Sequence, residues 1–242
     1  MKCFIKNVRL NFLINSFSII IKTSSTIIET VKNIVLALKK VITATTDKKA
    51  PGPTTSFTLF HIFCALEYLS RETLGRNKLA DKLGIGDGAI RTIINRLKSA
   101  ELISTTKEGC VLTQSGQEVW RQFEQVFPKR SEMPKTEITP SEFNYGFMIR
   151  NHGDSIKSGI DQRDAAIIAG AKRAIVLIAK QSHLHVASVD QCIEKEYEDA
   201  AAEILKKIAP QNDKDVIIIA GAETPLKAKT GAFAAAWSLI DN

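Results

Sequence analysis

Four polar side chains within a short run, Arg91, Thr92, Asn95 and Arg96, have the types and spacing to read the edges of bases. On a helix, positions i, i+1, i+4 and i+5 share one face. An arginine can bond guanine through two donors, and an asparagine can pair with adenine. Lys98 and Arg76 are placed to meet phosphate, and Lys107 to reach an adjacent groove or backbone. The same residues would furnish the solvated face of any surface helix, so the elements that carry them decide their meaning. A second constellation lies later in the chain. Arg150, Asn151, Gln162 and Arg163, with Gly221, Glu223 and Thr224, could line a pocket for a small-molecule effector. The competing reading is an ion-pair network of Arg150 or Arg163 with Asp161 or Asp164, which would fix helix against strand.

Other chemistry is thinly represented. His183 and His185 are two apart in a strand-like run and point the same way, but two ligands without a third do not make a zinc site. Cys3, Cys64, Cys110 and Cys192 form no CxxC pair, so a zinc ribbon or redox motif is not expected. The segment GAETP lacks the glycine spacing and lysine of a phosphate-binding loop. No nucleophile elbow and no Cys/His pair can be located. The sequence therefore predicts no catalytic residues, no metal and no cofactor, and a protein that is not an enzyme.

The elements around Arg91 give it context. Leu79, Ala80 and Leu83 have helical spacing in a short stretch, Lys78 to Leu83. Gly84 stops that helix, since glycine accepts the left-handed conformation at little cost. Ile85 plugs the turn. Gly86 or Asp87 starts the next helix, where an acidic residue suits the positive end of the dipole. Asp87 would repel phosphate, although it could accept from a cytosine amino group. Ile90, Ile93, Ile94 and Leu97 make the buried stripe, which leaves Arg91 and Arg96 off it. Two β-prone segments follow, Ile103 to Thr106 and Cys110 to Thr113, joined by Lys107-Glu108-Gly109. Upstream, Pro51-Gly52-Pro53 breaks the chain and Thr55 or Ser56 can cap a helix from Phe57 to Leu69. Downstream, Gln114 or Ser115 opens a helix carrying Val119, Trp120, Phe123 and Phe127. Helix, helix, helix, two-stranded wing, helix is the order of a winged helix-turn-helix, over residues 51–127.

Residues 128–143 hold three prolines without periodicity and read as a linker. Beyond them, residues 144–242 alternate as β-α-β-β-α-β-α, a small α/β sandwich domain. The fold class predicted is α+β. The alanine-rich last helix, with Phe233 and Trp237 one turn apart, could anchor a dimer or pack on its own sheet.

Charge qualifies this picture. The chain carries +7 overall, but residues 1–50 hold nine basic against two acidic residues, and so the whole excess. Residues 51–127 sum to +1 and residues 128–242 to −1. Residues 1–50 contain no run near the ~18 to 20 apolar residues a membrane span needs. Thr26 to Val41 has an amphipathic stripe. The segment reads as a helical arm, as a basic tail, or as foreign to the natural protein and dispensable.

Two phrases carry a resemblance. Gly84-Ile85-Gly86-Asp87-Gly88-Ala89-Ile90-Arg91 resembles the turn and recognition-helix start of gluconate-repressor-type regulators, and Leu112-Thr113-Gln114-Ser115-Gly116 the wing-to-helix junction of winged-helix repressors. FMIRNHGDSIKSGIDQRDAAIIAGAKRAIVLI and DVIIIAGAETPLKAKTGAFAAA resemble the C-terminal domain, of uncharacterised function, of an archaeal winged-helix transcription-regulator-like family. The resemblance spans about residues 53 to 240 and departs at His152, where a small residue is expected. It implies a two-domain transcription-regulator architecture. The chain as a whole reads as a cytoplasmic regulator that binds double-stranded DNA as a homodimer, with a C-terminal effector-sensing or dimerisation domain. The alternative is a protein-interaction module without sequence-specific DNA binding.

Overall fold

The computed structural model describes residues 57–189 and 191–241, with Glu29, Thr30 and Ile34 from the N-terminal segment. From residue 57 onward the described chain opens with three helices: α1 (Leu59–Leu69), α2 (Arg76–Leu83) and α3 (Asp87–Ser99). A hairpin of β1 (Ile103–Thr105) and β2 (Cys110–Leu112) follows, then α4 (Gln114–Val126). Gly84 caps α2 with a φ of 64°, as its place after an amphipathic run requires. Gly86 is the N-cap of α3. Leu79, Ala80, Leu83, Ile90, Ile93, Ile94 and Leu97 are all buried, so the predicted stripes meet in one core. Leu74 exchanges two backbone hydrogen bonds with Cys110 (2.8 and 3.1 Å), adding a third chain segment to the hairpin. The cap of α1 is Thr58, whose N–H donates to His61 Nδ1 at 3.0 Å. Thr55, Ser56 and the proline breaker lie outside the described residues.

The remaining elements are β3 (Lys129–Met133), β4 (Phe143–Ile149), α5 (Ile160–Ile168), β5 (Arg173–Lys180), β6 (His183–Val186), β7 (Gln191–Cys192), α6 (Ile193–Glu196), α7 (Glu198–Lys207), β8 (Val216–Ala222) and α8 (Pro225–Ile240). They build one six-stranded sheet in the order β3-β4-β8-β5-β6-β7, and every neighbouring pair is antiparallel. The linker reading of residues 128–143 fails at β3, which pairs with β4 from Lys129↔Met148 to Met133↔Asn144. Its hydrophilic sequence suits an edge strand. The two-residue β7 also went unread.

The sheet is covered on both faces, so its central strand β8 is buried throughout. Val216, Ile218 and Ala220 face the larger core, with α8 and the N-terminal helices. Ile217 and Ile219 face the smaller one, with Ile193, Ala201 and Ile204. The larger core does not stop at a domain boundary. Phe63 of α1 lies 4.8 Å from Phe233 of α8 and 6.0 Å from Phe147 of β4, centroid to centroid. Phe233 and Trp237 therefore serve inside the chain, where Phe233 also meets Phe60 and Trp237 meets Phe123. Phe233 is buried and Trp237 half-buried, so the alternative in which the pair packs on its own sheet describes Phe233.

The N-terminal segment enters the same core. Glu29, Thr30 and Ile34 are helical, and Ile34 is fully buried within the larger cluster. The burial of Ile34 weighs against the expectation that residues 1–50 are dispensable. The rest of the Thr26 to Val41 stripe lies outside the described residues.

Candidate functional site

Helix α3 divides its polar residues between solvent and core. Arg91 and Asn95, one turn apart, are exposed, as are Lys98 and, at the hairpin tip, Lys107. Asp87 holds two of the predicted contacts at once. It pairs with Arg76 at 3.2 Å and with Arg91 at 2.9 Å, all three side chains being about half exposed. Such surface pairs are weak and readily exchanged for phosphate. Lys98 Nζ donates to Thr105 Oγ1 at 3.3 Å and ties the helix to β1. Thr92 Oγ1 donates to Gly88 O at 2.9 Å. Arg96 differs from its prediction. It is half-buried with its guanidinium 5.0 Å from the Phe57 ring centroid, so it braces the start of α1. Arg76, Arg91, Asn95, Lys98 and Lys107 remain as the outward set.

The predicted effector pocket is not assembled. It assumed strands whose C-terminal ends converge, as in a parallel sheet. Here β4 and β8 run antiparallel, pairing Ile149 with Val216 and Phe143 with Ala222. Arg150 and Asn151 thus leave one end of the sheet, while Gly221, Glu223 and Thr224 leave the other. Each has a structural task. Asp215, fully buried, accepts from Asn151 N (3.0 Å), Gln211 N (2.9 Å) and Asn212 N (3.0 Å), and Arg150 donates to Gln211 Oε1 at 2.9 Å. Gly221 lets Asn144 approach: a Cβ there would lie 2.6 Å from Asn144 Oδ1. Thr224 caps α8 by accepting from Lys227 N, and Glu223 pairs with Lys172. Gln162 is buried, and Arg163 pairs with the adjacent Asp164 at 3.1 Å. Arg163 and Asp164 are neighbours on one helix, so their pair does not fix helix against strand, and Arg150 engages Gln211 instead of either aspartate.

The charged group that sequence reasoning missed is Glu67. It sits inside the apolar run of α1, with its side chain 5% exposed. Its carboxylate binds Arg130 (2.8 Å), Arg71 (3.0 Å) and Lys229 (3.3 Å), two of them from beyond α4. Burial alone would raise this carboxyl, but Lys229, Arg130 and Arg71 outweigh it and hold it below the usual carboxylate range. The Arg130 guanidinium lies 5.0 Å from the Trp120 ring centroid. A cleft of about 700 Å³ opens beside the cluster, with Lys129, Lys207 and Tyr145 on its walls. Beside Glu67, burial pushes the Cys64 thiol up to about 12, which leaves it an inert hydrophobe.

Among the described residues one group has metal-ligand character. His183, Cys192 and Glu194 bring their donor atoms within 4.8 Å of one another. Sequence spacing alone offers His183 and His185 no third ligand. No helix among the described residues is long and apolar enough to cross a membrane.

Two family models match separate parts of the chain. Residues 59–118 match the family model described as PH0730-like, N-terminal domain. Residues 140–239 match a domain of unknown function, DUF4443. Among solved structures, the chain is similar to the hypothetical protein PH0730 from Pyrococcus horikoshii OT3, at 26% identity and a TM-score of 0.60, over 76% of this chain and 93% of that one. No curated protein matches.

Proposed function

We propose that the chain is a DNA-binding transcriptional regulator whose residues 59–126 act as a winged helix-turn-helix. The observation that carries this reading is the outward face of α3. Arg91 and Asn95 stand exposed on the second helix of a pair joined at the left-handed Gly84, beside a hairpin whose tip presents Lys107. In helix-turn-helix proteins that second helix enters the major groove with its N-terminal residues on base edges. Arg91 and Asn95 then read bases, while Lys98, Arg76 and Lys107 meet the backbone. The described C-terminal sheet and its helices support the reading head from behind. A two-fold operator calls for a homodimer, formed through surfaces other than the buried face of α8. Such a protein works in the cytoplasm, where the DNA is.

A second reading is a protein-interaction module, favoured by the +1 charge of residues 51–127 and by the inward turn of Arg96. Selection of random-sequence duplexes by the full chain separates the two. A regulator enriches a motif, and the logarithm of its affinity falls with the logarithm of salt concentration at a slope of a few units. Failure to enrich any motif contradicts DNA reading.

A further inference from the structure

Strands β6 and β7 form one margin of the sheet, and their register pairs His185 with Cys192. Residues directly opposite in an antiparallel pair share a face, and so do residues two apart on one strand. His183, His185 and Cys192 therefore share a face, while Leu184 turns to the other and is fully buried. Helix α6 starts immediately after β7 and returns Glu194 to this corner. Glu194 Oε1 accepts from Leu184 N at 2.8 Å, and Oε2 accepts from Cys192 Sγ at 3.2 Å. His183 Nδ1 lies 3.8 Å from Oε1.

We propose that His183, Cys192 and Glu194 bind a divalent transition-metal cation of the zinc type. Ligands at zinc lie about 2.0–2.3 Å from the ion, so tetrahedral ligand atoms stand about 3.3–3.7 Å apart. The separations from Cys192 Sγ to Oε2 (3.2 Å) and from His183 Nδ1 to Oε1 (3.8 Å) lie on either side of that range, each to a different oxygen of the carboxylate. Since all three donors lie within 4.8 Å of one another, any remaining edge closes by about 1.5 Å at most. The His183 side chain, 58% exposed, is free of packing that would prevent it. The donor set decides the class of ion. Thiolate with imidazole selects zinc-like metals, whereas magnesium and calcium prefer oxygen alone. The Leu184 N–H fixes the Glu194 carboxylate in place, as outer partners do at metal sites. Binding releases the Cys192 thiol proton to solvent, leaving a thiolate on the ion. The fourth position falls to water or to His185. The site stands apart from α3 and does not depend on the DNA reading.

Cobalt(II) titration of the metal-free, tag-free full chain under reducing, anaerobic conditions tests this. One equivalent should bind with tetrahedral visible bands and a thiolate-to-cobalt charge-transfer band, and zinc(II) should displace it. Cys192→Ser should abolish the charge-transfer band, while Cys110→Ser, at a buried cysteine, should leave it. His183→Ala and Glu194→Gln, checked for fold by circular dichroism, should weaken binding by more than the roughly 10- to 100-fold that loss of an outer partner costs. His183→Ala alters an exposed side chain, so it tests the site even if Cys192→Ser fails to fold. A wild-type chain without the charge-transfer band overturns the proposal. So does a band that survives Cys192→Ser, or unchanged affinity in His183→Ala or Glu194→Gln.

Discussion

Asp87 is the residue on which the balance of the α3 face turns. Its single charge is shared between Arg76 and Arg91 in the free protein and would face phosphate in a complex. Asp87→Asn removes that repulsion and releases both arginines. Duplex binding should tighten and its salt dependence should steepen by about one to two units. Stability should fall by less than about 1 kcal/mol, because surface ion pairs and dipole contributions are small. Binding measured by fluorescence anisotropy against salt checks this, and weaker binding would mean that Asp87 itself positions the contacts. Glu67 poses the opposite case, a buried charge met by three cations. Glu67→Gln leaves Arg130 and Lys229 without their counter-charge and should cost about 3–5 kcal/mol in denaturant unfolding. Its folded pKa is depressed, so it stabilises the fold above its ordinary value of 4.5. That contribution is lost as pH falls through the depressed value, because the unfolded chain then binds the proton more readily. The wild type should therefore lose stability in acid below about pH 4.5, and Glu67→Gln should flatten that limb.

At the scale of elements, the sequence is legible where one periodicity and one partner suffice. The stripes of α2 and α3, the stop at Gly84 and the cap before α4 follow from local rules, and the structure has them within two residues. Gly84 has open space around it but a φ of 64°, so Gly84→Ala should cost about 1–2 kcal/mol through backbone strain alone. A change within measurement error in thermal unfolding would show that the turn relaxes. Strand β3 was illegible because Lys129-Arg130-Ser131-Glu132 has no apolar alternation, and only its pairing with β4 makes it a strand. The candidate pocket was misread for a related reason. Whether strands run parallel or antiparallel depends on distant partners, and that alone moved Arg150 and Gly221 to opposite ends of the sheet. Glu67 was hidden likewise, since Arg130 and Lys229 stand 63 and 162 positions away in sequence. In the N-terminal segment, Ile34→Ala should lower stability by about 2–5 kcal/mol, the range for truncating a core side chain. A negligible loss in urea unfolding would restore the view that this segment is dispensable.

For the whole molecule, the shared aromatic core replaces two independent domains with one cooperative body. Phe63 joins α1, α4, β4 and α8, and Glu67 joins α1, β3 and α8 through charge. Unfolding should then be a single transition in which calorimetric and van't Hoff enthalpies agree. Two resolved transitions would show that the halves melt apart.

The central claim is that the outward face of α3 reads DNA. Its most direct test is the affinity of Arg91→Ala and Asn95→Ala for a duplex selected by the wild type, set against a scrambled duplex. Each substitution should cost about 1–3 kcal/mol on the selected site and far less on the scrambled one, with melting temperature unchanged. Equal loss on both duplexes, or no loss on either, would contradict base reading by this helix.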